Sequence, residues 1–184
     1  NLTTNCYREM FKGCTSMTTG PDLLAYTLVT NCYYYMFANC YSLETLPTLN
    51  LGKAENLSYA FQNCYSLTAI KGLNTESNKD MNNMFVNCYS LNSIPALNTS
   101  NVANMANAFQ NCYSLRMVAK MDTGNVTNMA NTFSGCNNLI ELEFTNTASV
   151  LSFLNAFANC TSLIYAPILD TSSATNMNQM FSGC

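Results

Sequence analysis

The chain contains no histidine and no tryptophan, and charged residues make up only 9% of its 184 positions. Without histidine the commonest general base and the commonest metal ligand are both missing. The ten carboxylates are scattered singly, apart from Glu141 and Glu143 on one strand face. No glycine-rich phosphate loop and no nucleophile-elbow serine occurs, so no catalytic set emerges. A net charge of −3 with no basic run gives no electrostatic footprint for nucleic acid. No apolar run is long enough to span a bilayer, so no membrane span is expected. The ten cysteines include no Cys-x-x-Cys pair, which leaves neither a metal centre nor a cofactor site to expect. Asn1 opens directly into repeat sequence, so the segment reads as mature, trimmed or the ordered part of something longer.

What the sequence does contain is a period. Phe-x-Asn-Cys or Phe-x-Gly-Cys occurs eight times, with cysteines at 14, 40, 64, 88, 112, 136, 160 and 184. From Cys40 the interval is always 24 residues, and the first interval is 26. A fixed period of this size implies stacked units, none of which can bury its apolar face alone. The whole of 1–184 therefore reads as one solenoid domain of seven to eight repeats, irregular over 1–40 and regular over 41–184. Pro21, Pro47, Pro95 and Pro167 all fall seven residues past a repeat cysteine, which places the two extra residues of the first interval after Pro21, near Leu23-Leu24.

Columns can be numbered from the repeat cysteine, so that column −3 lies three residues before it. Column −3 is always Phe, and columns −4, −7 and −10 are mostly apolar, as in Val102, Met105, Ala108 and Phe109. That spacing predicts a helix of about three turns. Asn98-Thr99-Ser100, Asp122-Thr123 and Asp170-Thr171-Ser172 supply its N-cap side chains, and column −1, only ever Asn or Gly, supplies a left-handed C′ cap. After the cysteine, Leu91, Ile94 and Leu97 and their counterparts predict a short strand stacked in parallel on the next repeat and ending at or before the proline column. Together these elements give an α/β solenoid of short parallel strands and short helices.

With the columns in place, Asn98-Thr-Ser-Asn-Val-Ala-Asn-Met-Ala-Asn-Ala-Phe-Gln-Asn-Cys-Tyr-Ser-Leu115 resembles the repeat of BspA-like leucine-rich-repeat surface proteins. Asp122-Thr-Gly-Asn-Val-Thr-Asn-Met-Ala-Asn-Thr-Phe-Ser-Gly-Cys136 does so too, and the resemblance covers the whole chain. It implies a right-handed coil on a bacterial surface, or on a virion, acting as an adhesion or binding module for a protein or glycan. No shared catalytic residues come with it. A structural spacer or appendage segment in a larger surface, filament or phage assembly is the competing reading. The ends of the repeat array would then meet flanking domains or stack head to tail.

Three sets of residues are candidates for special roles. Tyr41, Tyr65, Tyr89 and Tyr113 follow the cysteine in four consecutive repeats, and alternation turns them outward if the cysteines point in. They form either a binding ridge for a glycan or protein or a stacked cover that stabilises the repeats. The eight repeat cysteines read as a buried column, with a ladder of disulfides between adjacent ones geometrically unfavourable. Cys6 and Cys32 share column −8, where later repeats carry Asn56, Asp80, Asn104, Asn128, Ser152 and Asn176. They are either a disulfide stapling the first repeats or two free thiols. Asn104, Asn128 and Asn176, with Asn107, Asn131 and Asn155 beside them, are expected to bond backbone groups between coils.

Overall fold

Residues 24 apart in sequence lie side by side in the computed structural model, which describes residues 7–22 and 33–184. Parallel bridges join Asn56 to Asp80, Asp80 to Asn104, Asn104 to Asn128, Asn128 to Ser152 and Ser152 to Asn176, all in column −8. On the opposite wall, strand β1 (Thr45–Leu46) pairs in parallel with β3 (Ala69–Ile70), and β2 (Leu49–Asn50) with β4 (Leu73–Asn74). β1 stops immediately before Pro47, as a residue with no N–H to give a ladder requires. The parallel strands expected from sequence are present in the coils of Cys40 and Cys64, each only two residues long. However, β2 and β4 lie past the proline column, where the strand was expected to have ended. Pro47 interrupts the pairing, and the Leu49 N–H resumes it on the Gly72 carbonyl at 3.0 Å.

The helices are not. Among the described residues there is no helix, and columns −6 to −1 form a string of turns. The N–H groups of Met84, Val86 and Cys88 each donate three residues back, to Met81, Asn83 and Phe85, at 3.0, 3.3 and 3.1 Å. The alternate N–H groups leave the coil altogether. Met81, Asn83, Phe85 and Asn87 donate to the carbonyls of Asn104, Ala106, Ala108 and Gln110 in the next coil, at 2.8–2.9 Å. No donor is left for the ladder of bonds four residues back that defines an α-helix.

The cause is a second left-handed column. Column −5 has positive φ throughout: 55° at Asn83, 56° at Asn107, 54° at Asn131 and 52° at Asn155. Column −1 has it too, from 58° to 64° at its asparagines and 76–77° at Gly13, Gly135 and Gly183. Two left-handed residues four apart cannot sit inside a right-handed helix. The left-handed reading of column −1 holds, but the residue closes a turn rather than capping a helix. Likewise Asn98, Asp122 and Asp170 do accept an N–H two residues on, at 2.9–3.1 Å, and open a turn rather than a helix.

The apolar columns are nonetheless buried, because the turns curl the same side chains inward. Met81, Met84, Phe85, Val102, Met105, Ala108 and Phe109 are fully enclosed. The column −3 phenylalanines from Phe11 to Phe181 stack coil upon coil, with centroids 5.1–5.9 Å apart and planes within 4–13°. Beside them each repeat cysteine donates its thiol proton to the phenylalanine carbonyl of the preceding coil: Cys64 to Phe37, Cys88 to Phe61, Cys112 to Phe85, at 3.1–3.2 Å. That carbonyl also accepts the N–H of its own coil's cysteine, so both lone pairs are engaged. Cysteine fits this column because it is small and apolar yet carries one weak donor.

Column −1 adds an amide ladder. Asn63 donates to Asn39, Asn87 to Asn63 and Asn111 to Asn87, side chain to side chain, at 2.7–2.9 Å. At Gly135 the ladder stops because glycine carries no amide, and Asn111 Oδ1 fills the space within 2.5 Å of where a Cβ would lie. The expectation for Asn104, Asn128 and Asn176 is corrected here. Each bonds within its own coil, to the N–H of Ala106, Ala130 and Asn178. Of their neighbours, Asn155 does reach across, to Asn131, at 3.1 Å.

Two predictions follow from this wall. In an α-helix interior Ala outperforms Gly, but in a left-handed column the order reverses, so Asn83→Gly should cost about 1 kcal/mol less than Asn83→Ala. Urea unfolding midpoints of the two variants decide it, and the opposite order would restore the helix. The second concerns the thiols. Burial pushes Cys40 from 9.0 to about 11 and Cys160 to about 12, and holds Cys64, Cys88, Cys112 and Cys136 well above their ordinary range. The unfolded chain therefore loses these protons first. The stabilisation is complete below about pH 9 and is lost as pH rises through the folded values. Native alkylation at pH 8 should spare these six and modify exposed Cys14 and Cys184, as peptide mass spectrometry can show.

Candidate functional site

Tyr41, Tyr65, Tyr89 and Tyr113 occupy one column because each follows a cysteine anchored in the core. Buried Cys40, Cys64, Cys88 and Cys112 point in, and the next residue points out. The coil-to-coil bonds from Ser66 to Tyr41, Ser90 to Tyr65 and Ser114 to Tyr89 (N–H to carbonyl, 3.2 Å) fix the spacing. The four rings accordingly form a continuous stack with centroids 4.9 Å apart and planes within 3–8°. Tyr41 and Tyr113 at its ends are exposed and the middle two half-buried. Asn137 and Thr161 continue the column without rings, and the Thr161 hydroxyl donates to the Asn137 carbonyl instead.

Face-to-face stacking decides what such a row can offer a ligand. Inside the stack each ring face is covered by its neighbour, so the exposed surface is a row of ring edges and phenol hydroxyls. Tyr89 is held above the ordinary phenol range by burial first and by its neighbours Tyr113 and Tyr65 second, so it stays a neutral donor. Three residues further along, past the buried leucines, exposed Glu44, Thr68, Asn92 and Arg116 form a polar column on the same wall. The arrangement suits multiple shallow hydrogen bonds rather than chemistry. Among the described residues no three His, Cys, Asp or Glu side chains converge in a way that could hold a metal ion.

Cys6 and Cys32 lie outside the described residues, as does the Leu23-Leu24 insertion. The eight repeat cysteines are free thiols.

Two surface features were not anticipated. One is an aromatic cluster on the turn wall. Tyr35 and Tyr59 stack at 4.4 Å with planes 4° apart, and Tyr34 meets both edge-on. Arg8 and Lys12 lie over Tyr34 and Tyr35, 5.1 and 4.8 Å from their centroids. Tyr35 and Tyr59 occupy the left-handed column −5 at φ 56° and 60°, a conformation that bulky residues seldom adopt. Burial, with Tyr59 and Tyr34 beside it, pushes Tyr35 up to about 12. Two tyrosines 24 apart in an otherwise Asn-rich column were the sequence signal. The other feature is a cleft of about 620 Å³ lined by residues of 141–147 and 165–170, with Lys120 at its margin.

Comparison with known families gives two matches. The family described as "Mycoplasma protein of unknown function, DUF285" matches residues 31–142. The "BspA type Leucine rich repeat region (6 copies)" matches residues 107–184. No curated protein and no solved structure matches the chain.

Proposed function

We propose, for a chain that belongs to the family described as Mycoplasma protein of unknown function DUF285 and carries BspA-type leucine-rich repeats, a role in non-catalytic recognition at a bacterial surface. In this reading residues 1–184 form one right-handed leucine-rich-repeat domain of an extracellular or cell-surface protein. It adheres to a protein or glycan along Tyr41, Tyr65, Tyr89 and Tyr113. The observation that carries it is the register of those rings, four phenols in line at 4.9 Å on a backbone whose every coil is bonded to the next. Such a row presents stiff, amphipathic contact area at little entropic cost. The enclosed thiols beside it, raised well out of their reactive range, support display rather than catalysis.

A spacer or appendage role is the second reading, and one observation favours it. Each tyrosine stack also ties two coils together, contributing about 0.5–1.5 kcal/mol beyond burial. Three such stacks would stiffen the middle of a rod whether or not anything binds there.

The two readings separate on the hydroxyls. Changing all four tyrosines to phenylalanine keeps the stacks and removes the outward donors. Under the recognition reading the variant unfolds within about 1 kcal/mol of the parent, because stacking is retained. It also loses adhesion to immobilised glycans or host-cell protein by about tenfold or more, as several hydrogen bonds disappear together. Adhesion that survives unchanged leaves the spacer reading.

A further inference from the structure

Coil-to-coil bonding is continuous along the turn wall, but the strand wall opens in two places. Ser93 to Leu97 bond neither neighbouring coil through the backbone, and a second opening, which forms a cleft, lies between the coils of Cys136 and Cys160. The last rung there runs from the N–H of Ile164 to the carbonyl of Ile140, at 3.1 Å. The next contact is at Thr147, whose hydroxyl bonds the N–H and carbonyl of Asp170, at 2.7 and 2.9 Å. Between them, Tyr165 to Leu169 make no backbone hydrogen bond among the described residues. Pro167 cannot donate. The first opening carries a proline too, Pro95, so the feature that sets the cleft apart is the inward Phe144. Phe144 turns its ring inward, 6.4 Å from Phe133 and 6.3 Å from Phe157, where the same column elsewhere holds Thr48, Gly72, Ala96 or Lys120. Its insertion shifts the pairing by one: Met121 bridges to Phe144, 23 residues on, whereas Leu49 bridges to Leu73.

The opening is the cleft of about 620 Å³, within the size range of ligand pockets (about 300–1,000 Å³). Its walls combine three things. Phe144, Tyr165 and Ile168 supply apolar and aromatic surface. The 165–169 backbone supplies an unpaired edge. Glu141, Glu143 and Asp170 supply carboxylates against one ammonium, Lys120, which lies 3.7 Å from Glu143. Glu141 and Asp170 have no cation partner among the described residues.

We infer that this cleft is a second binding site, distinct from the tyrosine row, and that its ligand is an extended cationic peptide segment. The peptide backbone pairs with the open edge at 165–169, as in strand addition, and every second side chain meets the apolar wall. Its intervening lysine or arginine side chains meet Glu141 and Asp170. The Ser172 N–H, and after it the Ser172 hydroxyl, hold the Asp170 carboxyl below its ordinary range, so it remains an anion.

The test is fluorescence anisotropy with two labelled pentapeptides, Ac-Val-Lys-Val-Arg-Val and Ac-Val-Glu-Val-Glu-Val, titrated with the whole chain. The cationic peptide binds, the acidic one does not, and raising the salt weakens binding because the ion pairs are exposed. Glu141→Gln combined with Asp170→Asn weakens the cationic peptide about tenfold, and asparagine at 170 still accepts the Ser172 N–H, so the turn survives. Tyr165→Ala, at a side chain 75% exposed, also weakens it without loss of fold. The phenylalanine variant of the four stripe tyrosines leaves it unchanged. Equal binding of both peptides, no binding of the cationic one, or full affinity in the Glu141/Asp170 variant would overturn the assignment.

Discussion

The sideways hydrogen bond from every second N–H of the turn wall to the next coil is the constraint on which the rest of this structure depends. Left-handed residues in columns −5 and −1 aim those N–H groups out of the coil. Once they are so aimed, only a neighbouring coil with its columns in line can accept them, across the 26-residue first interval (Glu9 to Tyr34) as across the 24-residue ones. The other turn-wall columns then repeat in line. The phenylalanines stack, the thiols reach the carbonyls behind them, and the column −1 amides bond in line. A residue change in one coil is therefore felt in two.

The fold was legible in the sequence to the extent that columns are. The period, the buried apolar columns, the strand pair ahead of Pro47 and the left-handed Asn/Gly column are present where spacing places them, whereas the second strand pair, past Pro47, is not. The helix was misread for a specific reason. Apolar residues at columns −10, −7, −4 and −3 satisfy helical spacing, but tight turns that return every three residues put the same side chains on one side. Column −5 held the corrective signal: Asn83, Asn107, Asn131 and Asn155 share one position, as the column −1 asparagines do. Tyr35 and Tyr59 in that same column disguised it, because tyrosine is a poor marker of left-handed backbone. The cleft was less accessible still. It depends on whether Phe144 turns in or out, which alternation along Glu141-Leu142-Glu143-Phe144 hints at but a 24-residue repeat contradicts.

Regularity also explains where recognition can arise. On a wall built from identical rungs, specificity comes either from a column of one residue type, as with the tyrosines, or from a break in the stacking, as at Phe144 and Pro167. The first offers many equivalent weak contacts, the second one enclosed set. Their different chemistry, neutral phenols in one and carboxylates beside aromatic surface in the other, suits different ligands.

The measurement that tests the central claim most directly is nuclear magnetic resonance detection of couplings across hydrogen bonds in the isotopically labelled chain. The structure predicts a coupling from the Asn87 amide nitrogen to the Gln110 carbonyl carbon and from Phe85 to Ala108, each joining one coil to the next. Couplings from Asn87 to Asn83 and from Phe85 to Met81 would instead report an α-helix, and the account of the turn wall would then be wrong.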